Sequence, residues 1–183
     1  MINWEIVYEP TRKLIEDSIV LDKIVFNDEC DICDIATCME WTNKNNKLYT
    51  FLLKDNKLIG YINLMPVTDE FYNRFKDGKT KDFEITASDI VGYEVGKPVK
   101  CIFVSIVLHP DYQKTMAVKY LLDGFIQKIK NFQNKGYIIS DIAMDCVSEM
   151  GERCARNWLK ASQVAYSRNG KIYEGNFDFL NNK

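Results

Sequence analysis

The chain has a single histidine, His109, in 183 residues. Paired histidines, the commonest partners of cysteine at zinc, are therefore missing. Three of the six cysteines cluster as Cys30-x-x-Cys33-x-x-x-x-Cys38. That spacing admits a metal or redox site, or reduced thiols on or beside a helix. No second Cys-x-x-Cys supplies a fourth ligand, so reduced thiols and no bound metal are expected. Cys101 and Cys146 lie in apolar strand contexts and read as small core residues. Excess basic charge is absent as well. Lys and Arg number 24 against 26 Asp and Glu, a net charge of −2, so nothing predicts a nucleic-acid partner. No apolar run has the roughly 20 residues of a membrane span. Met1-Ile2-Asn3-Trp4-Glu5 lacks the basic and apolar regions of a signal peptide. A cytoplasmic protein with no membrane or nucleic-acid partner is the expectation. Low-complexity tracts are absent and aromatics plentiful, which argues against disorder.

What is present suits a single domain over 1–183 with a sizeable core. Trp4-Glu5-Ile6-Val7-Tyr8 alternates and predicts a first strand. Pro10 and Thr11 start a helix through about Ser18. Residues 19–27 are ambiguous. Asn27 or Asp28 is placed to cap a second helix to about Asn43. Leu48–Leu53 and Lys57–Met65 flank the turn Asp55-Asn56 and read as a hairpin. Gly60 within it signals a close backbone approach or a bulge. Thr68 opens a short helix with Phe71, Tyr72 and Phe75 inward and Gly78 as its stop. A polar connection over 79–98 follows.

The chain is organised around the stretch Val99 to Ile129. Cys101-Ile102-Phe103-Val104-Ser105-Ile106-Val107-Leu108 is rich in β-branched residues and barely alternates, so it predicts a strand buried on both faces. His109-Pro110-Asp111-Tyr112 ends it. Val118, Leu121, Leu122, Phe125, Ile126, Ile129 and Phe132 then fall at helical spacing, with Thr115 as N-cap. A strand, a short turn and a helix N-terminus together make an anion site, because amides without intrahelical partners and the helix dipole point at it. Gly136 ends the helix. Tyr137–Asp145 is the next strand, parallel to the first through a right-handed crossover. Ser148 caps a last helix to about Ala161. Gln163–Arg168, the turn Asn169-Gly170 and Lys171–Glu174 predict a terminal hairpin.

Leu108-His109-Pro110-Asp111-Tyr112-Gln113, at the end of a buried strand and before a helix, resembles the cofactor motif of the GNAT N-acetyltransferases. In that family a strand ends in Val-x-Pro, and Arg/Gln-x-x-Gly-x-Gly/Ala opens the helix. Leu58-Ile59-Gly60-Tyr61 is similar to the family's third strand, and the order of elements agrees along nearly the whole chain. The match is close only around residues 57–65 and 99–113. Met116 and Val118 stand where the family has small residues. In the last helix Glu152 and Leu159 stand where it often has asparagine and tyrosine. The resemblance implies an α+β fold with a mixed sheet of six or seven strands flanked by helices. It implies acetyl-CoA as co-substrate. Ile106, Val107 and Leu108 would align the pantetheine arm, and Gln113, Lys114, Thr115, Met116, Ala117 and Val118 would hold the pyrophosphate.

The implied reaction is direct transfer of an acetyl group to an amine of a small molecule or peptide. Such transfer needs a polarised thioester carbonyl, a neutral amine, aligned substrates and a proton for the leaving thiolate. Glu94, Glu84 and Asp145 are the candidate bases by position. Tyr166, Cys154 or water are the candidate acids. A GNAT-fold binding or sensing module without turnover is the second reading, and an unrelated α+β binding domain the third. A monomer or a homodimer is expected by analogy with the family.

Overall fold

The structure is a computed structural model that describes residues 4–26 and 32–180. The expected caps at Asn27 and Asp28, and Cys30 of the cysteine cluster, lie outside the described residues. Seven strands form one mixed sheet in the order β1-β2-β3-β4-β5-β7-β6. They are β1 Trp4–Val7, β2 Tyr49–Lys54, β3 Lys57–Val67, β4 Pro98–Leu108, β5 Ile138–Cys146, β6 Ser162–Tyr166 and β7 Lys171–Gly175. The helices are α1 Arg12–Phe26, α2 Ile35–Lys44, α3 Asp69–Lys76, α4 Ala117–Asn134 and α5 Glu149–Arg153. This is the α+β architecture, strand number and order expected. The chain forms two compact units. One takes the chain through Asn63 together with Ser105–Asn131, and the other takes Leu64–Val104 and the chain from Phe132 onward.

In the first unit β1 and β2 are antiparallel, as are β2 and β3. The Asp55-Asn56 turn holds both residues at positive φ, 50° and 65°, as a tight hairpin between right-twisted strands requires. Opposite Gly60 the ladder slips between Leu52 and Leu53. A Cβ on Gly60 would stand 2.6 Å from Leu108 Cδ1 and 2.9 Å from the Val107 carbonyl oxygen. Gly60 is thus both a bulge neighbour and a close approach. Aromatic rings fill the face beneath α1 and α2, with Tyr49 and Phe51 stacked at 5.0 Å. The ambiguous residues 19–26 continue α1, because Leu14, Ile15, Ser18 and Leu21 keep one buried helical stripe. The second helix is shorter than expected. Asp34 caps it, its carboxylate accepting from the Thr37 amide at 2.8 Å. On the other face of the sheet Lys128 of α4, only 6% exposed, donates to the Tyr49 carbonyl at 2.7 Å.

In the second unit the parallel register of β4 and β5 runs from Pro98↔Ile138 to Phe103↔Met144. β5 pairs antiparallel with β7, and β7 with β6. Thr68 caps α3 as expected, and Gly78 follows it at φ 72°. The last helix departs from expectation. Ser148 caps it, but after Arg153 it widens into a π-turn over Cys154–Trp158, with Leu159 N bonded to Cys154 O at 3.1 Å. Lys160 at φ 54° then ends it before Ala161. The hairpin turn is displaced by one residue from Asn169-Gly170: Tyr166 pairs with Lys171, and Ser167 N bonds Gly170 O at 3.0 Å across Arg168-Asn169. Gly170 serves another purpose there. A Cβ on it would lie 2.5 Å from the Cys146 carbonyl oxygen.

Candidate active site

In the first unit β4 runs to Leu108 and the chain turns through a short 3-10 segment, Pro110–Tyr112, into α4. His109 N bonds the Ile59 carbonyl at 2.8 Å, so the turn starts anchored to β3. The Gln113 side chain reaches back and donates to the Leu108 carbonyl at 3.1 Å. Thr115 Oγ1 donates to the Tyr112 carbonyl at 2.8 Å and accepts from Ala117 N at 3.2 Å. Thr115 thereby caps α4 from one position further out than expected. The helical ladder begins with Tyr120 N on Met116 O at 3.0 Å. The amides of Val118 and Lys119 precede it, so they are helix-end donors without an intrahelical acceptor.

The side chains of this loop are placed as follows. Val107 and Ala117 are fully buried, Ile106, Leu108, Gln113 and Val118 half-buried, and Lys114 and Thr115 exposed. Met116 is 59% exposed, so it swings outward while Ala117 takes the small buried place beside it. Lys119 is engaged with Asp123 at 2.5 Å. Sequence reasoning missed a further cation, Lys54 of β2. Its Nζ lies 4.9 Å from the Tyr112 ring centre and 5.8 Å from that of Trp4. Trp4 in turn stacks on Tyr120 at 5.5 Å. An alternating edge strand carries no signal that its Trp and a hairpin Lys meet a helix N-terminus.

The candidate acid and base residues fall in the second unit. Asp145 sits at the end of β5, one residue beyond the last parallel pair, with a side chain 10% exposed. Lys81 Nζ donates to its Oδ2 at 2.7 Å and Ser167 Oγ to its Oδ1 at 2.7 Å. Asp82 stands beside it, and burial and the Asp145 charge push its carboxyl up to about 6. Neither Lys81 nor Asp82 was singled out from sequence, because a polar connection carries no periodicity to mark two residues that reach a strand end. Glu94 is exposed and pairs with Lys97 at 3.1 Å. Tyr166 is 73% exposed, next to the serine that holds Asp145. Glu84 caps its own 3-10 turn, accepting from Thr80 Oγ1 and from Lys81 N, and these bonds hold its carboxyl low. Burial pushes the Cys154 thiol up to about 11. Glu152, in the asparagine position, accepts from Lys171 Nζ at 2.9 Å and from the buried Tyr173 hydroxyl at 2.9 Å. Leu159, in the tyrosine position, is fully buried. Among the described residues no three His, Cys, Asp or Glu side chains are grouped to hold a metal ion. No helix among them is long and apolar enough to cross a membrane.

This architecture, with β4 leading through a short turn into the N-terminus of α4, is that of the GNAT N-acetyltransferases. The loading GNATL domain of CurA from Lyngbya majuscula superposes with a TM-score of 0.68 at 12% identity, covering 99% of this chain and 100% of that one. The GphF GNAT-like decarboxylase in complex with isobutyryl-CoA gives 0.64 at 8% identity, covering 94% and 98%. The PaiA N-acetyltransferase of Thermoplasma acidophilum in complex with coenzyme A gives 0.53 at 14% identity, covering 96% and 99%. No protein-family model matches the chain, and no curated protein does. At these identities the likeness shows the fold, an acyl-CoA N-acyltransferase fold.

Proposed function

We propose that the protein is an N-acyltransferase that moves an acetyl group from acetyl-CoA to an amine of a small molecule or peptide. The observation that carries this reading is the N-terminus of α4, where the amides of Val118 and Lys119 precede the first ladder bond at Tyr120. Amides and dipole offer a pyrophosphate the same field whatever the side chains are. Ile106, Val107 and Leu108 would align the thioester, and residues Gln113 to Val118 would face the pyrophosphate. Solved proteins of this fold include complexes with coenzyme A and with isobutyryl-CoA, which supports an acyl-CoA co-substrate. Asp145 is proposed as the base, oriented by Lys81 and Ser167. Glu94 is the alternative base and Tyr166 the acid, both at exposed positions open to substrate. No nucleic acid or membrane partner enters this reading, and the protein would work as a monomer or a homodimer in the cytoplasm.

A second reading has its own support. Leu159 puts an apolar, buried side chain where a tyrosine acid often stands in this fold, and Met116 and Val118 replace small residues. A binding or sensing module without turnover fits those three positions. Thermal denaturation with acetyl-CoA and with isobutyryl-CoA separates the readings from each other and from an unrelated ligand. Ligand at one hundred times its dissociation constant stabilises by about 2.7 kcal/mol, a rise of several degrees in Tm. A rise with acetyl-CoA and release of free thiol in the presence of amines supports transfer. A rise without thiol release supports the binding module. No rise with either thioester sinks both.

A further inference from the structure

Within the first unit, the start of α4 meets two strands that the sequence keeps far from it. Trp4 of β1 stacks on Tyr120, with ring centres 5.5 Å apart and planes 17° apart. The same indole meets Tyr112 edge-on at 6.1 Å. Thr115 donates to the Tyr112 carbonyl from both its amide, at 3.1 Å, and its hydroxyl, at 2.8 Å, so Tyr112 belongs to the turn that opens the helix. Lys54 of β2 lies across these rings. Its Nζ is 4.9 Å from the Tyr112 ring centre and 5.8 Å from that of Trp4, and it donates to the Tyr112 hydroxyl at 3.4 Å.

The charge of Lys54 is left unanswered by this bed. The side chain is half-buried, and among the described residues no carboxylate pairs with it. The ring faces attract the cation without neutralising it. An ammonium has three donors, and the long bond to Tyr112 uses one. Lys57 stands directly opposite Lys54 in the β2–β3 pair, and like charges so placed repel. Other charges of the region are already engaged. Lys119 pairs with Asp123 at 2.5 Å, and Asp111 lies against His109 at 3.7 Å. A lysine held on aromatic rings with an open donor side answers to an anion that arrives from solution.

Resting on the acyl-CoA reading of the neighbouring amides, we propose that Lys54 is a specificity-determining residue whose ammonium pairs with the 3′-phosphate on the ribose of coenzyme A. In that reading the amides of Val118 and Lys119 take the pyrophosphate, and the 3′-phosphate is the next anion along the molecule, one ribose away. Tyr112 joins the two places, with its carbonyl in the helix-opening turn and its ring under Lys54. A phosphate monoester carries close to two negative charges at neutral pH and three acceptor oxygens, which suits the open donors of an ammonium. The aromatic bed keeps water from part of the cation, so the pair is stronger than one on open surface. Lys54 lies in β2, outside the stretches that match the family closely.

Calorimetric titration of the full chain with coenzyme A and with dephospho-coenzyme A, which lacks only the 3′-phosphate, tests the pairing. Wild type binds coenzyme A roughly tenfold more tightly than the dephospho form. Lys54→Met keeps the apolar stem on the rings and removes the charge. It lowers the affinity for coenzyme A to that for dephospho-coenzyme A and leaves the latter unchanged, whereas Lys54→Arg keeps the preference. Equal binding of the two ligands by wild type, or a preference that survives Lys54→Met, overturns the pairing while the acyl-CoA reading stands. If neither ligand binds, the acyl-CoA reading falls and the pairing falls with it. Should Lys54→Met not fold, wild type carrying 13C-labelled lysine decides alone. The Cε signal of Lys54 shifts saturably with coenzyme A and stays in place with dephospho-coenzyme A, and an equal response to both sinks the pairing.

Discussion

The carboxamide of Gln113 donates to the carbonyl of Leu108 at 3.1 Å, so the turn after β4 is tied back onto the strand end it leaves. That bond sets where the first amides of α4 point. Gln113→Ala removes the tie and lets the turn move. The expected result is weaker acetyl-CoA binding by roughly tenfold, with little change in thermal stability because Gln113 is half-buried. Calorimetric titration decides it. Unchanged affinity would mean that the backbone alone holds the loop.

Met116 and Val118 narrow the approach to the same amides. Replacing both with glycine is expected to tighten acetyl-CoA binding. It also weakens the start of α4, by less than about 1 kcal/mol per glycine so near the helix end. Affinity and stability would then move in opposite directions. Met116 already points outward, so most of the gain is expected from Val118→Gly. Single and double variants compared by calorimetry and urea denaturation test this. Equal gains from the two singles would contradict it.

Gly60 has no room for a side chain. Gly60→Ala drives a methyl group into the Val107 carbonyl oxygen and Leu108 Cδ1. Strain of this kind costs about 1–3 kcal/mol. The shift falls on the strand end that carries Ile106–Leu108, so ligand affinity is expected to fall with stability. A urea midpoint identical to wild type would refute the close approach.

The Lys81–Asp145 pair is 19% and 10% exposed, which makes it a largely buried ion pair. Lys81→Met leaves the Asp145 carboxylate with Ser167 alone and is expected to cost about 3 kcal/mol. Removing both charges, as Lys81→Met with Asp145→Leu, is expected to cost less than the single change. A double variant less stable than Lys81→Met would show that the Asp145 carboxylate left without Lys81 is not what costs stability.

Asp82 makes stability depend on pH. Its carboxyl is raised from the model-compound value of 3.8 to about 6, so between those values the folded protein binds more protons than the unfolded chain. Its contribution is fully present below pH 3.8 and is lost as pH rises through 6. Asp82→Asn, which cannot ionise, is therefore expected to raise Tm at pH 7.5 more than at pH 4. Scanning calorimetry at the two pH values checks the sign. Equal shifts at both would place the effect in packing.

Local pattern and element order carried most of the fold. The run Cys101–Leu108 could bury both faces only as a central strand, and the helical spacing from Val118 to Phe132 could pay its ordering entropy only by packing against it. Thr68, Ser148 and Gly136 marked helix ends because their side chains, or the lack of one, solve a local bonding problem. The junction of β4 with α4 was legible for the same reason, since a strand, a turn and a helix start are contiguous. Three things were decided only in three dimensions. Lys54 and Trp4 meet Tyr112 and Tyr120 because strand pairing and helix packing bring separate segments together. Lys81 and Asp82 reach the end of β5 from a connection whose sequence has no period. Asn63 looks like an ordinary polar residue in a strand, and only tertiary packing leaves it buried, with its Oδ1 lacking a partner among the described residues. Periodicity reports which face a side chain takes, and packing against distant segments determines what it meets there.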